Sequence, residues 1–180
     1  MGTSIDVLFS KPPRCDDAWI SQRLNATFAK CQSELCVIKE HAWYSLDCEP
    51  WAISFVPPHH GEPAYLFDEG PYGFDICVYE NVACLGHVDR FGRLHYVDSP
   101  VAISLQQVLA TIVEDLLGSE PFACVAGGMG DSDRAVDMAY YQRATFSEVS
   151  QQLHESLGEP ATRWAQLNEP EHSWALLGRE

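Results

Sequence analysis

Ser4-Ile5-Asp6-Val7-Leu8-Phe9 is rich in β-branched and apolar residues and stops at Lys11-Pro12-Pro13, which predicts an opening strand. The period then changes. Ile20, Leu24, Phe28, Cys31 and Leu35 recur at steps of three and four, with Trp19 and Thr27 alongside and Asp16 or Asp17 placed to cap. That spacing predicts an amphipathic helix laid on a sheet. Between residues 41 and 73 aromatics and prolines interrupt one another. Here Trp51 to Val56 reads as a strand and Pro57 to Gly73 as a long irregular loop. Phe74 to Tyr79, Val82 to Asp89 and Arg93 to Val97 follow as three strands parted by Glu80-Asn81 and Arg90-Phe91-Gly92, an antiparallel meander.

The most regular stripe is Leu105, Val108, Leu109, Ile112, Val113, Leu116 and Leu117, in a helix predicted over Ser104 to Leu117. Ser104 with Gln107 forms its capping box and Gly118 its stop. Phe122 to Val125 predicts a short strand leading into Ala126-Gly127-Gly128-Met129-Gly130. A helix follows from Asp131 or Asp133 to Tyr141, and another from Thr145, boxed with Glu148 and carrying Val149, Leu153 and Leu157 on its apolar face before Gly158. The tail from Pro160 holds Trp164 and Trp174 with little periodicity. Helices and strands are mixed without a regular βαβ beat, so the expected fold is α+β, a mainly antiparallel sheet packed by helices, in a single domain over residues 1–180.

Composition supports one core. The chain has 180 residues, 46% of them hydrophobic and 21% charged, which lies in the globular range. No apolar run approaches the roughly 18 residues that span a bilayer. The amino terminus lacks a signal-peptide pattern, and Asp6 stands where a myristoylation motif wants Ser or Thr. A cytoplasmic protein is expected. The cysteines, Cys15, Cys31, Cys36, Cys48, Cys77, Cys84 and Cys124, are odd in number, several sit in apolar runs, and none forms a Cys-x-x-Cys pair. Buried thiols in a reducing compartment fit that usage.

Charge changes the picture most. The formal net charge is −15, and no Lys or Arg occurs between Lys39 and Arg90 or from Leu94 to Asp133. Such a surface repels phosphate backbones and anionic membranes and suits a basic protein partner. Aromatics interleave with acids from Glu62 onward. The expected partner-binding residues are therefore Glu62, Tyr65, Asp68, Glu69, Tyr72, Asp75 and Glu80, joined by Asp131 and Asp133.

Catalytic signatures are weak by comparison. The Gly127 to Gly130 stretch matches no phosphate-binding glycine motif, lacks the lysine, and precedes two carboxylates; a tight turn is expected. His87, Asp89 and His95 share a predicted hairpin and would suit a divalent metal, so a small metal-dependent hydrolase stays open as an alternative, as does a cytoplasmic adaptor. His59-His60 lies in a Pro/Gly-rich stretch better suited to contact than to rigid ligation. No cofactor is expected.

The combination of size, acidity, cytosolic cysteine usage, aromatic-rich meander and missing catalytic signature resembles the immunity proteins of bacterial polymorphic-toxin and type VI secretion systems. Within that set it is most similar to small α+β antitoxins paired with restriction-endonuclease-like toxins. The resemblance implies an antitoxin that binds a cognate, basic, nuclease-type toxin and occludes its active site or substrate groove. It implies no nucleic-acid or membrane ligand, leaves a homo-oligomer open, and transfers no individual residue role.

Overall fold

The computed structural model describes residues 4–30, 34–38, 51–56, 72–86, 111–115, 121–127, 131–163 and 173–178. Its strands are β1 (Ser4–Ser10), β2 (Glu34–Ile38), β3 (Trp51–Val56), β4 (Tyr72–Val78), β5 (Val82–Gly86), β6 (Phe122–Gly127) and β7 (Trp174–Leu177). The helices are α1 (Asp17–Lys30), α2 (residues 111–115), α3 (Asp131–Tyr141) and α4 (Phe146–Leu157). All strands join one seven-stranded sheet in the order β2-β3-β4-β5-β1-β6-β7. Every neighbouring pair is antiparallel. The α+β class with an antiparallel meander is therefore the observed one, the meander running from β2 through β5.

Local chemistry explains several boundaries. The Tyr79 N–H donates to Val82 O at 2.9 Å and closes a two-residue turn at Glu80-Asn81, as expected. Of the two candidate caps of α1, Asp16 takes the role. Its Oδ1 accepts from the Trp19 N–H at 2.9 Å, and its carbonyl accepts the first helical bond from Ile20. At α4 the Thr145 backbone and hydroxyl both donate to the Glu148 carboxylate, and Thr145 Oγ1 accepts from the Glu148 N–H. That reciprocal box holds the Glu148 carboxyl below the ordinary glutamate range.

β4 begins at Tyr72, two residues inside the expected Pro57 to Gly73 loop, and two larger features depart from the sequence reading. The stripe that runs through Leu35 breaks off, because α1 ends at Lys30 and Leu35 belongs to β2, whose register slips between Leu35 and Val37. Leu35 lies seven residues after Phe28 and so satisfies a helical period by coincidence; the backbone of β3 offers a ladder that local spacing cannot show. The tail also contributes a strand. β7 pairs with β6, and its outer edge is bridged by Ala161, whose N–H donates to Trp174 O at 2.9 Å and whose carbonyl accepts from Leu176 N–H at 3.0 Å. That bridge partly covers an edge that would otherwise template pairing with another chain. The expected strand at Arg93 to Val97 lies outside the described residues, as does most of the helix predicted over Ser104 to Leu117 apart from α2.

The pleat sorts the core into two faces. Leu8, Val82, Cys84, Ala123, Val125 and Trp174 lie on one face, where they meet Ala135 and Ala139 of α3 and Phe146, Val149 and Leu153 of α4. Val7, Phe9, Ile76, Ala83, Leu85 and Phe122 alternate with these and are buried on the opposite face. Among the described helices α1 and α2 remain to cover it, through the buried Ile20, Leu24, Phe28, Ile112 and Val113.

A polar tie joins α1 to α2. The Thr27 hydroxyl donates to Asp115 Oδ2 at 2.6 Å, and Lys30 Nζ donates to both carboxylate oxygens at 2.7 and 2.8 Å. Burial alone would raise the Asp115 pKa, but the hydrogen bonds from Lys30 and Thr27 reverse this and hold it below the ordinary aspartate range. Asp115→Ala is expected to cost about 2 kcal/mol at neutral pH in urea unfolding, because it leaves the buried Thr27 hydroxyl without its acceptor. A carboxyl whose folded pKa is depressed stabilises above its unfolded pKa, and that stability is lost as pH falls through the folded value. The gap between variant and wild type should therefore shrink below about pH 4. A gap that widens in acid contradicts the assignment.

Candidate interaction surface

Two places on the face packed by α3 and α4 gather polar or aromatic groups. The first is a seam across β1, β4 and β5, buried at Asp6 and Cys84 and half-buried at Asp75 and Cys77. Asp6, Asp75, Cys77, Cys84 and Gly86 share this face through the registers Asp75↔Gly86 and Cys77↔Cys84 and the pairing of β1 with β5. Asp6 is buried, and its Oδ1 lies 2.7 Å from where a Cβ on residue 86 would stand. Burial pushes the Cys84 thiol well above its usual range, and the charges of Asp6, Cys77 and Asp75 push it further. A thiol held protonated in this way is a poor nucleophile and a poor metal ligand. Among the described residues no group of three or more His, Cys, Asp or Glu side chains is arranged to hold a metal ion. The seam reads as a packed part of the core.

The second place is where the β4–β5 hairpin meets the end of α3. Tyr79 packs edge-on against Tyr140 with ring centroids 5.8 Å apart, and Tyr140 packs edge-on against Tyr141 at 4.6 Å. Glu80 Oε2 pairs with an Arg143 guanidinium nitrogen at 3.2 Å. Asn81 Nδ2 donates to the Arg143 carbonyl at 2.7 Å. Three consecutive hairpin residues thus grip Tyr140 and Arg143. Arg143 has φ 54, the left-handed conformation in which helices commonly end, at a cost of order 1 kcal/mol for a non-glycine residue. The Met138 carbonyl accepts from both Gln142 and Ala144 N–H groups and closes the helix there.

The result is a rigid column of rings that runs from the core outward. Tyr79 touches the apolar layer under α3 and α4, Tyr140 is half-buried, and Tyr141 is 69% exposed. Asp137 and Arg134 lie one and two turns before Tyr141 on the outward side of α3 and are exposed.

The expected partner-binding residues are distributed unevenly over this frame. Glu62, Tyr65, Asp68 and Glu69 lie outside the described residues, as do His59-His60, His87, Asp89 and His95. Tyr72 is the first residue of β4, and Asp131 and Asp133 fall in the first turn of α3. Asp75 is half-buried on the α3 face, and Glu80 is exposed at the tyrosine column. Glu80 and Asp131 are not brought together. The hairpin turn meets the carboxyl end of α3, whereas Asp131 opens that helix, which spans about 16 Å at 1.5 Å per residue.

Tyr79, Tyr140, Tyr141 and Arg143 escaped the sequence reading, although one signal was present. With Ala135 and Ala139 facing the core, helical spacing turns position 141 outward with 137. Comparison of the chain with models of known protein families, with curated proteins and with solved structures finds no match. Among the described residues no helix is long and apolar enough to cross a membrane.

Proposed function

We propose that the chain is a cytoplasmic immunity protein, an antitoxin that binds a cognate, basic, nuclease-type toxin and occludes its active site or substrate groove. The observation that carries this reading is an exposed aromatic ring on a braced support, Tyr141 above Tyr140 and Tyr79, on a chain of net charge −15. Aromatic anchors whose rings are already ordered lose little entropy on binding, and surrounding acids steer a basic partner and set its approach rate. The acidic stretch from Glu62 to Glu80 supplies the steering charge in this reading, with Asp131 and Asp133 as a second source.

The test is association with the product of a toxin gene encoded beside this one. The expected result is stoichiometric inhibition of that toxin, with an association rate that falls steeply as salt is raised while the dissociation rate changes little. Full toxin activity in the presence of excess purified chain, or an association rate indifferent to salt, sinks the proposal.

A further inference from the structure

We propose that the tyrosine column is an arginine-reading anchor, at which Tyr141 and Asp137 together take a guanidinium of the partner protein. This deepens the reading of the chain as a binder of a basic protein, on which it rests, by naming the side chain recognised. The ring of Tyr141 is exposed but not loose, since its edge-to-face contact with Tyr140 at 4.6 Å continues into Tyr79 at 5.8 Å. An exposed aromatic face attracts a cation through its quadrupole, most strongly when the ring is held and a carboxylate stands beside it.

Asp137, one helical turn before Tyr141, is such a carboxylate and makes no ion pair among the described residues. Of the two neighbouring cations, the Arg143 guanidinium is engaged by Glu80 at 3.2 Å, and Arg134, also on the outward side of α3, forms no ion pair with Asp137. The Arg143 carbonyl and side chain brace the hairpin against the rings. The same chain already shows this chemistry internally on α1, where the Arg23 guanidinium lies 5.3 Å from the centre of the Trp19 ring. The planar, delocalised guanidinium suits a ring face and a carboxylate edge at once, which a lysine ammonium does not.

The experiment uses the full chain with a short arginine-rich peptide, its lysine counterpart and its neutral citrulline counterpart, with affinity read by fluorescence anisotropy at low salt. The arginine peptide should bind more tightly than the lysine peptide, and the citrulline peptide should not bind. Tyr141→Ala should weaken the arginine peptide about tenfold, Asp137→Asn should weaken it several-fold, and Tyr141→Phe, which keeps the ring, should leave it unchanged. Tyr141→Phe also guards against a folding defect, since it tests the ring without emptying its place. If Tyr141→Ala binds the arginine peptide as wild type does, the anchor is refuted while the acidic-surface reading stands. If wild type binds no cationic peptide, the anchor is refuted, and the toxin-inhibition assay decides the reading on which it rests. A concentration-dependent dimer abolished by Tyr141→Ala with peptide affinity unchanged would assign the column to a second copy of the chain and overturn the proposal.

Discussion

Trp174→Ala is expected to lower the unfolding free energy by about 3–5 kcal/mol, the range for emptying a buried Trp or Phe site. Trp174 is 1% exposed and belongs to the same apolar layer as Val125, Val149 and Leu153. Its indole N–H donates to the Gly158 carbonyl at 2.9 Å, just past the end of α4, so the substitution both opens a cavity and removes that carbonyl's donor. The residue also secures an edge strand of four residues, held by β6 on one side and by the single bridge from Ala161 on the other. Against a typical total stability of about 5–15 kcal/mol the loss is large, and for a chain of this size it corresponds to a melting-temperature fall of roughly 6–20 °C. Trp174→Phe separates the two contributions. It keeps most of the buried ring area and loses the hydrogen bond, so about 1–2 kcal/mol is expected. Urea unfolding of both variants checks the split, and equal losses for Phe and Ala would mean that the hydrogen bond rather than the packing holds this corner.

Gly86→Val is expected to destabilise by about 3 kcal/mol, at the upper end of the usual cost of overpacking a core. Strand propensity argues the other way, because valine is favoured in strands over glycine by up to about 1 kcal/mol. Space decides the sign. A Cβ at position 86 would stand 2.7 Å from Asp6 Oδ1, 3.6 Å from Cys84 Sγ and 3.9 Å from Asp6 Cγ, and valine adds two methyl groups beyond it. Asp6 is itself buried on the central strand pair, so its carboxylate can move only by giving up its present surroundings. Gly86→Ala in an Asp6→Ala background isolates the clash. The glycine substitution should cost far less there than in wild type, a coupling visible in a double-mutant cycle by thermal unfolding. Additive losses would show that Asp6 is not what glycine makes room for.

Much of the candidate surface was hidden from the sequence for one reason. Its members come from two separate places, Tyr79 to Asn81 and Tyr140 to Arg143, and only the docking of α3 onto the sheet brings the hairpin turn to the helix end. The acidic windows were legible as composition, but their effective charge was not. Asp115 is spent on Lys30 and Thr27, and Glu80 is paired with Arg143, so two acids that a linear count treats as surface field are partly neutralised in place. Asp137 and Tyr141 fall on the outward side of α3 once the burial of Ala135 and Ala139 fixes its inward face, which the sequence did not announce.

What the sequence by itself determined was local. Caps, turns and periods act over a few residues, and so the Glu80-Asn81 turn and the Thr145–Glu148 box could be read directly, and the starts of α1 and α3 narrowed to Asp16 or Asp17 and to Asp131 or Asp133. The order of the sheet was decided only in three dimensions. β1, first in the chain, lies between β5 and β6, and the aperiodic tail supplies β7. Strand pairing depends on backbone groups that every residue carries alike, so no spacing in the sequence announces which strand will be its neighbour. The same holds for Leu35, which fits the helical period of α1 and yet is drawn into β2 by the free ladder of β3.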